Sequence, residues 1–475
     1  MNRRDFITRS SLGLGALTIA PLSGFAGGSP YISRRPELSL RTYTSKAVEE
    51  TIAKIKGDIA DAELAWMFEN CYPNTLDTTV EFSMKNGKPD TFIITGDIHA
   101  MWLRDSSAQV WPYLPLVNDD DDLKKLFKGL INRQKECVIF DPYANAFNNG
   151  PTGSYWETDL TDMKPELHER KWEIDSLCYP VRLAYNYWKK TNDNTIFDDR
   201  WKKASSLIIK TFKEQQRFDG KGPYSFMRVT EKATDTVPGK GYGNPIKPNG
   251  LICSTFRPSD DATIFLFLIP SNYFASVSLK QMAEISQAVY NDETFAKECL
   301  SLAAQVDKAL EEYAQVEHPR FGTVIPYEVD GFGNHLFMDD ANVPSLLSLP
   351  YLGAMSMSDP LYIQTRKLIL SKSNPWYSEG KAANGIGGPH IGEDMIWPMS
   401  IIMRALTSKN DEEIIQCITW LKNTHADTGF MHESFHKDNP GNFTREWFAW
   451  ANTLFGELIM NVHSENKNIL KRQFQ

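Results

Sequence analysis

Seven side chains suited to gripping a sugar stand within fifteen positions: Asp97, His99, Trp102, Arg104, Asp105, Gln109 and Trp111, all inside GDIHAMWLRDSSAQVWPYLPL. An indole covers the apolar face of a pyranose, and a carboxylate beside a guanidinium takes its hydroxyls in forked hydrogen bonds. Similar mixtures of aromatic, acidic and amide residues recur in DPYANAFN (141–148), YWETDLTD (155–162), ERKWEIDS (169–176), FRPSDD (256–261), MDDAN (338–342), GIGGPHIGEDMIWP (385–398) and HESF (432–435). The chemistry this suggests is cleavage of a glycosidic bond, which uses two carboxyl groups across the bond, one protonated and one ionised. Candidates are Asp97, Asp105, Glu157, Asp159, Glu173, Asp175, Asp260, Asp261, Asp339, Asp340, Glu393, Asp394 and Glu433, and spacing alone does not choose among them. Several have plain alternatives. An aspartate beside Arg104 forms an ion pair, Asp175 opens a helical pattern where a carboxylate steadies the N-terminus, and Asp339-Asp340 suits a turn.

The elements that must position these loops are mostly helices. Val48, Ile52, Ile55 and Ile59 recur at helical spacing, as do Ile174, Cys178, Val181 and Tyr185. Trp201, Ser205, Ile208 and Phe212 repeat the pattern, and so do Phe295, Cys299, Leu302 and Val306. Asn410 with Glu413 reads as a capping pair that opens a helix through Ile414, Ile418 and Leu421. A β-hairpin interrupts early: Val80, Phe82 and Met84 alternate, Asn86-Gly87 supplies the turn, and Thr91 to Thr95 returns. Helix pairs alternating with polar, aromatic loops predict an α/α toroid around an acidic pocket, with the loops gathered at one end.

Composition bounds the rest. The formal net charge is −9, and loss of residues 1–26 would leave about −11, which argues against nucleic acid as a partner. Six widely spaced cysteines (Cys71, Cys137, Cys178, Cys253, Cys299, Cys417) include no C-x-x-C and no zinc-type cluster, so buried free thiols are expected. Met1-Asn2-Arg3-Arg4-Asp5-Phe6-Ile7, the apolar Leu12 to Ala20 and Gly24-Phe25-Ala26 read as a twin-arginine export signal with a small-residue cleavage site, which predicts a periplasmic location. No stretch reaches the roughly 20 apolar residues of a membrane span, so no stable membrane anchor is expected. The expected organisation is signal (1–26), flexible lead-in (27–40) and one catalytic domain (41–475).

The ordered motifs, together with ERKWEIDSLCYPVRLAY, GLICSTFRPSDDATIFLFLIPSN, HLFMDDANVPSLLSLPYLG and HESFHKDNPGNFTREWFAWANTLFGELI, resemble glycoside hydrolase family 125 from about residue 40 to 465. The resemblance implies a mainly α (α/α)6 barrel, a small β-hairpin near its N-terminus, and a metal-independent enzyme without cofactor. It implies removal of terminal α-1,6-linked mannose from mannan or N-glycan-derived oligosaccharides, with inversion. The family's general base is carried onto Glu433, and its general acid onto Asp260 or Asp261, with Asp260 preferred. Trp102, Arg104 and Asp105 match the terminal-sugar pocket, and Asp261, His390 and Glu393 are expected contacts. The acid must be protonated, so burial or the negative charge of Asp261 is expected to raise the Asp260 pKa. Two readings of other classes are a sugar epimerase, which would need paired histidines for proton transfer, and a non-catalytic mannan-binding protein, which would not need both FRPSDD and HESF.

Overall fold

Helices form where apolar spacing and a polar cap coincide. Ser45 caps Lys46–Asp58 through Val48 N, and that helix buries Val48, Ile52 and Ile55. Asp198 caps Asp199–Gln216, which buries Trp201, Ser205, Ile208 and Phe212. Asn410 accepts from Glu412 N and Glu413 N at the start of Asp411–Asn423. The Glu413 carboxylate does not return to Asn410; it binds Arg366, Arg404 and Ser408 instead, because two guanidiniums within reach outbid one backbone N–H. The computed structural model describes residues 31–475, of which Ser33–Gln475 form one compact unit. The export-signal reading lies outside the described residues. Within the expected lead-in, the Arg35 guanidinium is held by Glu49 and Asp77.

The helices lie in two layers. Leu103–Val110, Asp175–Thr191, Ile269–Ile285, Pro398–Leu406 and Ala449–Glu465 make the inner layer, each buried over most of its length. Leu103–Val110 packs on Asp175–Thr191, which packs on Ile269–Ile285. Pro398–Leu406 packs on Ala449–Glu465, which returns to Leu103–Val110. Between Ile269–Ile285 and Pro398–Leu406 the inner position is filled by turns over residues 339–354, pinned where Asp339 accepts from Leu346 N and Leu347 N. The Asp339-Asp340 pair therefore organises a turn. Outside lie amphipathic helices, among them Asp121–Phe140, Asp199–Gln216, Glu293–Tyr313 and Asp411–Asn423.

Three small sheets feed alternate inner helices. Met101–Trp102 runs into Leu103–Val110, Phe267–Leu268 into Ile269–Ile285, and Met395–Ile396 into Pro398–Leu406. Each of these strands is one edge of a three-stranded sheet. All six cysteines are buried free thiols. Among the described residues no helix is long and apolar enough to cross a membrane.

The early hairpin pairs Val80–Lys85 with Lys88–Ile93, with Lys85 opposite Lys88. Asn86 and Gly87 both take positive φ, 51° and 76°, which is why an Asn-Gly pair closes this turn. The second strand lies directly on Asp121–Phe140 at Gly129, where a Cβ would come within 2.2 Å of Thr91 Oγ1 and 2.9 Å of Thr91 N. Gly129→Ala should therefore force helix and hairpin apart, at a cost of about 1–3 kcal/mol. Denaturant unfolding would show this as a lower midpoint; an unchanged midpoint would mean the contact relaxes freely.

Candidate active site

The N-terminal ends of two inner helices meet at one cluster of charges, which their first residues supply. Arg104 and Asp105 lie in the first turn of Leu103–Val110, and Asp175 is the first residue of its helix. Trp102 immediately precedes its helix and pairs with Ala146, which pairs in turn with Glu169. Helix N-termini carry partial positive charge, so acidic side chains gather there at lower cost.

Arg104 is the hub. Its Nη1 donates to Glu173 Oε2 at 2.6 Å and to Asp175 Oδ2 at 3.1 Å, and its Nη2 donates to Asp260 Oδ1 at 3.1 Å. Asp105 Oδ2 stands 3.6 Å from its Nε. Arg104, Asp105, Glu173 and Asp175 are all buried. Burial opposes ionisation of these acids, and with one guanidinium among them the Glu173 carboxyl is held well above the usual range, the negative charges of Asp260 and Asp175 adding to burial. Burial also pushes Asp105 up to about 6, against the pull of Arg104.

FRPSDD forms a closed loop. Phe256 bridges to Ala262, Arg257 N donates to Asp261 O at 2.8 Å, and Asp260 N donates to Arg257 O at 2.9 Å. Asp260 sits at φ 64°, a left-handed conformation that costs a non-glycine residue on the order of 1–3 kcal/mol. Lys171 Nζ helps hold it there by donating to the Asp260 carbonyl at 2.8 Å. This kink sends the two neighbouring aspartates apart. Asp260 turns to Arg104, while Asp261 Oδ1 lies 3.4 Å from His390 Nδ1 and 3.7 Å from Lys232 Nζ.

The divergence corrects one expectation. Asp261 does not raise the Asp260 pKa; burial does so, but Arg104, Lys171 and a hydrogen bond from Glu173 outweigh it and hold Asp260 below its ordinary value. Asp261 is brought down to about 2 because the charges of His390 and Lys232 overcome its burial.

Glu433 Oε1 lies 3.4 Å from Arg445 Nε, while Arg445 Nη1 binds Asp97 at 3.1 Å. Arg445 is itself left-handed, at φ 45°. Glu433, Asp97, Asp105 and Asp260 all favour its charge, so one cation interacts with both candidate catalytic carboxyls. Trp102 is buried with its ring 5.2 Å from that of His168. Glu393 is exposed beyond the Gly388–Gly392 bridge, and His99 is tied to Glu81 at the surface. Gln109 is buried against Ile94 O, and Trp111 Nε1 binds Glu457, both away from the acidic cluster. Among the described residues no group of three or more His, Cys, Asp or Glu is placed to hold a metal ion.

Sequence reasoning did not assign roles to Lys171 or Arg445, although both lie inside quoted motifs. The available signal was a basic residue embedded in an otherwise acidic loop, which has to pair with whatever acids the fold brings to it.

The chain is similar to several known proteins. A Schizosaccharomyces pombe protein, meiotically up-regulated gene 157 protein, is 44% identical over 458 residues, covering 92% of this chain and 90% of its own. The structure of a Streptococcus pneumoniae protein from a family of metal-independent alpha mannosidases, in a non-productive complex with alpha-1,6-mannobiose, is 38% identical. It superposes with a TM-score of 0.85 and is matched over 90% of this chain and 100% of its own. A glucoamylase from Saccharomycopsis fibuligera, 13% identical with a TM-score of 0.51, covering 90% of this chain and 97% of its own, shares the fold alone. The family model for metal-independent alpha-mannosidases matches residues 61–460, and with a match of that extent the chain belongs to that family, GH125.

Proposed function

We propose that this α-mannosidase removes terminal non-reducing α-1,6-linked mannose, one residue at a time, from mannan or N-glycan-derived oligosaccharides, with inversion at the anomeric carbon. The observation that carries the mechanism is a pair of carboxyls each held by its own guanidinium: Asp260 by Arg104, and Glu433 by Arg445. The α-1,6-mannobiose bound by the Streptococcus pneumoniae relative supports the linkage. Asp260 acts as the acid. Its proton goes to the glycosidic oxygen as the bond to the anomeric carbon breaks. Glu433 acts as the base and takes a proton from the water that attacks the opposite face. Trp102 supplies an apolar wall for the terminal mannose, and Asp105, Asp261 and His390 complete the polar lining.

An inverting pair places its carboxyls about 6.5–9.5 Å apart, with room for one water between. Proton NMR of the first product from an α-linked substrate should therefore show β-mannose; α-mannose first would rule out inversion. Glu433→Gln should cut turnover by about a hundredfold or more, with binding kept. Asp260→Asn should damage turnover of α-1,6-mannobiose far more than that of an activated aryl mannoside, since a good leaving group needs little protonation. If Asp261→Asn shows this dependence and Asp260→Asn does not, the acid is Asp261.

We also propose export by the twin-arginine route to the periplasm. The Arg3-Arg4 start supports it, and so do six buried free cysteines, which suit a protein folded before it leaves a reducing compartment. Replacing Arg3 and Arg4 by Lys should retain the enzyme in the cytoplasm on fractionation. Undiminished periplasmic activity would count against this route.

A further inference from the structure

Glu173 is placed where a carboxylate alone has no good reason to be. Its Oε2 is satisfied by Arg104 Nη1 at 2.6 Å and by the Ser176 hydroxyl at 2.9 Å. Its Oε1 is buried and receives no donor from the protein, and the two terminal nitrogens of one guanidinium hold Glu173 and Asp260 side by side, Nη1 on Glu173 and Nη2 on Asp260, which sets the two carboxyls close enough to share a proton. Two carboxylates are both acceptors, so a contact between them is stable only with a proton in it. The charge count agrees. Arg104 offers one positive charge to Asp105, Glu173, Asp175 and Asp260, while Lys171 faces Asp260 from one side with Glu169, and Arg445 faces Asp260 and Asp105 from the other. The two members also differ in access. The Glu173 side chain is fully buried at 0% exposure, whereas Asp260 keeps 19%.

We propose that Glu173 is the positioning and proton-holding partner of Asp260, storing in the free enzyme the proton that Asp260 delivers to the leaving oxygen. The proposal rests on Asp260 being the acid. Before the bond breaks, the Glu173 O–H proton passes to the Asp260 carboxylate, leaving Glu173 ionised against Arg104. Asp260 then protonates the glycosidic oxygen, whose bond to the anomeric carbon breaks with both electrons staying on oxygen, while Glu433 takes one proton from the attacking water. After the products leave, Glu433 returns its proton to solvent and the pair regains one through solvent-accessible Asp260. The buried location of Glu173 gives this store its purpose: the proton is held next to the acid and meets water only through Asp260. The contact of Arg104 Nη2 with Asp260 Oδ1 at 3.1 Å, which favours the ionised form of Asp260, is then compatible with its acting as an acid, because the proton is one residue away on Glu173.

Glu173→Gln tests this. An amide still donates a hydrogen bond to Asp260 but has no proton to give, so Asp260 must titrate alone, below its ordinary value. The alkaline limb of kcat/KM on α-1,6-mannobiose should move down by about one pH unit or more, with a loss of about tenfold or more at neutral pH, part of the 10²–10⁴ that acid catalysis supplies. An activated aryl mannoside should lose about threefold at most. A purely structural Glu173 predicts that the Gln variant keeps the wild-type pH profile with both substrates, and that result, alongside an acid-like Asp260→Asn, overturns the proposal alone. If Asp261→Asn carries the leaving-group dependence instead, the acid reading falls and the proposal with it. Should Glu173→Gln not fold, carbon-13 NMR of wild-type protein labelled at glutamate carboxyls decides. One carboxyl should remain protonated near neutral pH and change its titration in Asp260→Asn, which also separates it from Glu457; no glutamate signal responding to Asp260→Asn would overturn the proposal.

Discussion

Everything in the pocket depends on one buried guanidinium surrounded by four carboxyl groups. Removing Arg104 from water is expensive, and each neighbouring acid is expensive too; such a cluster persists only if its charges and hydrogen bonds nearly balance. Three devices provide the balance here. Asp175 and Asp105 sit in the first turns of their helices, where unpaired backbone N–H groups favour negative charge. Lys171 and Arg445 add positive charge from the flanks. Glu173 takes up a proton. Without the last of these, the cluster would carry more negative charge than its three cations offset. The proton is thus favoured by the electrostatics of the folded chain before any substrate arrives, and the chemistry makes use of it.

The same constraint explains the strained backbone of FRPSDD. Two adjacent aspartates on an extended strand would point to opposite faces, and on a helix they would diverge by only about a quarter turn. Neither geometry sends one carboxyl to Arg104 and the other to His390. A left-handed residue between the Phe256–Ala262 bridge and Asp261 does so, and Lys171 holds that residue through its carbonyl. The neighbouring side chains fix the loop in place: Arg257 binds Glu328 at 2.7 Å, and Ser259 binds Asp340 at 2.9 Å. Asp340 in turn leaves little space at Gly388, where a Cβ would stand 3.1 Å from its carboxylate. The turn segment that replaces one inner helix therefore supports the acid loop, and the GIGGPH loop closes over that support.

Much of this was legible in the sequence, and the rest was not for identifiable reasons. Helices with long apolar periods and the hairpin with its Asn-Gly turn follow from local pattern, because each signal spans enough residues to show a period. The two-residue strands that feed the inner helices, such as Met101–Trp102, are too short to show one. The carboxyl cluster was visible as a set of candidates but not as a cluster. Arg104 meets Glu173 and Asp260 across 69 and 156 residues of chain, and nothing local encodes that convergence. Arg445 was passed over for a similar reason: its approach to Glu433 depends on a left-handed backbone at a residue type that rarely adopts one. Asp261 does not tune Asp260, because the left-handed backbone at Asp260 sends one carboxyl to Arg104 and the other to His390, and adjacency in sequence is not adjacency of charge.

The opposite end of the barrel completes the logic of acting on chain ends. About two turns below the acidic cluster, the axis is crossed by side chains from four inner elements. Arg182 lies 3.4 Å from the Trp111 ring centroid and 4.7 Å from that of Tyr351, and Glu457 accepts from Trp111 Nε1 at 3.1 Å and from the Tyr351 hydroxyl at 2.9 Å. Burial pushes the Glu457 carboxyl up to about 7, while Arg182 and these two donors partly offset the rise. A layer in which every polar group is bonded across the axis resists both collapse and opening. A sugar chain entering from the loop end therefore meets a floor. A floor of this kind stops the chain from threading through the barrel, which suits removal of sugars from a chain end.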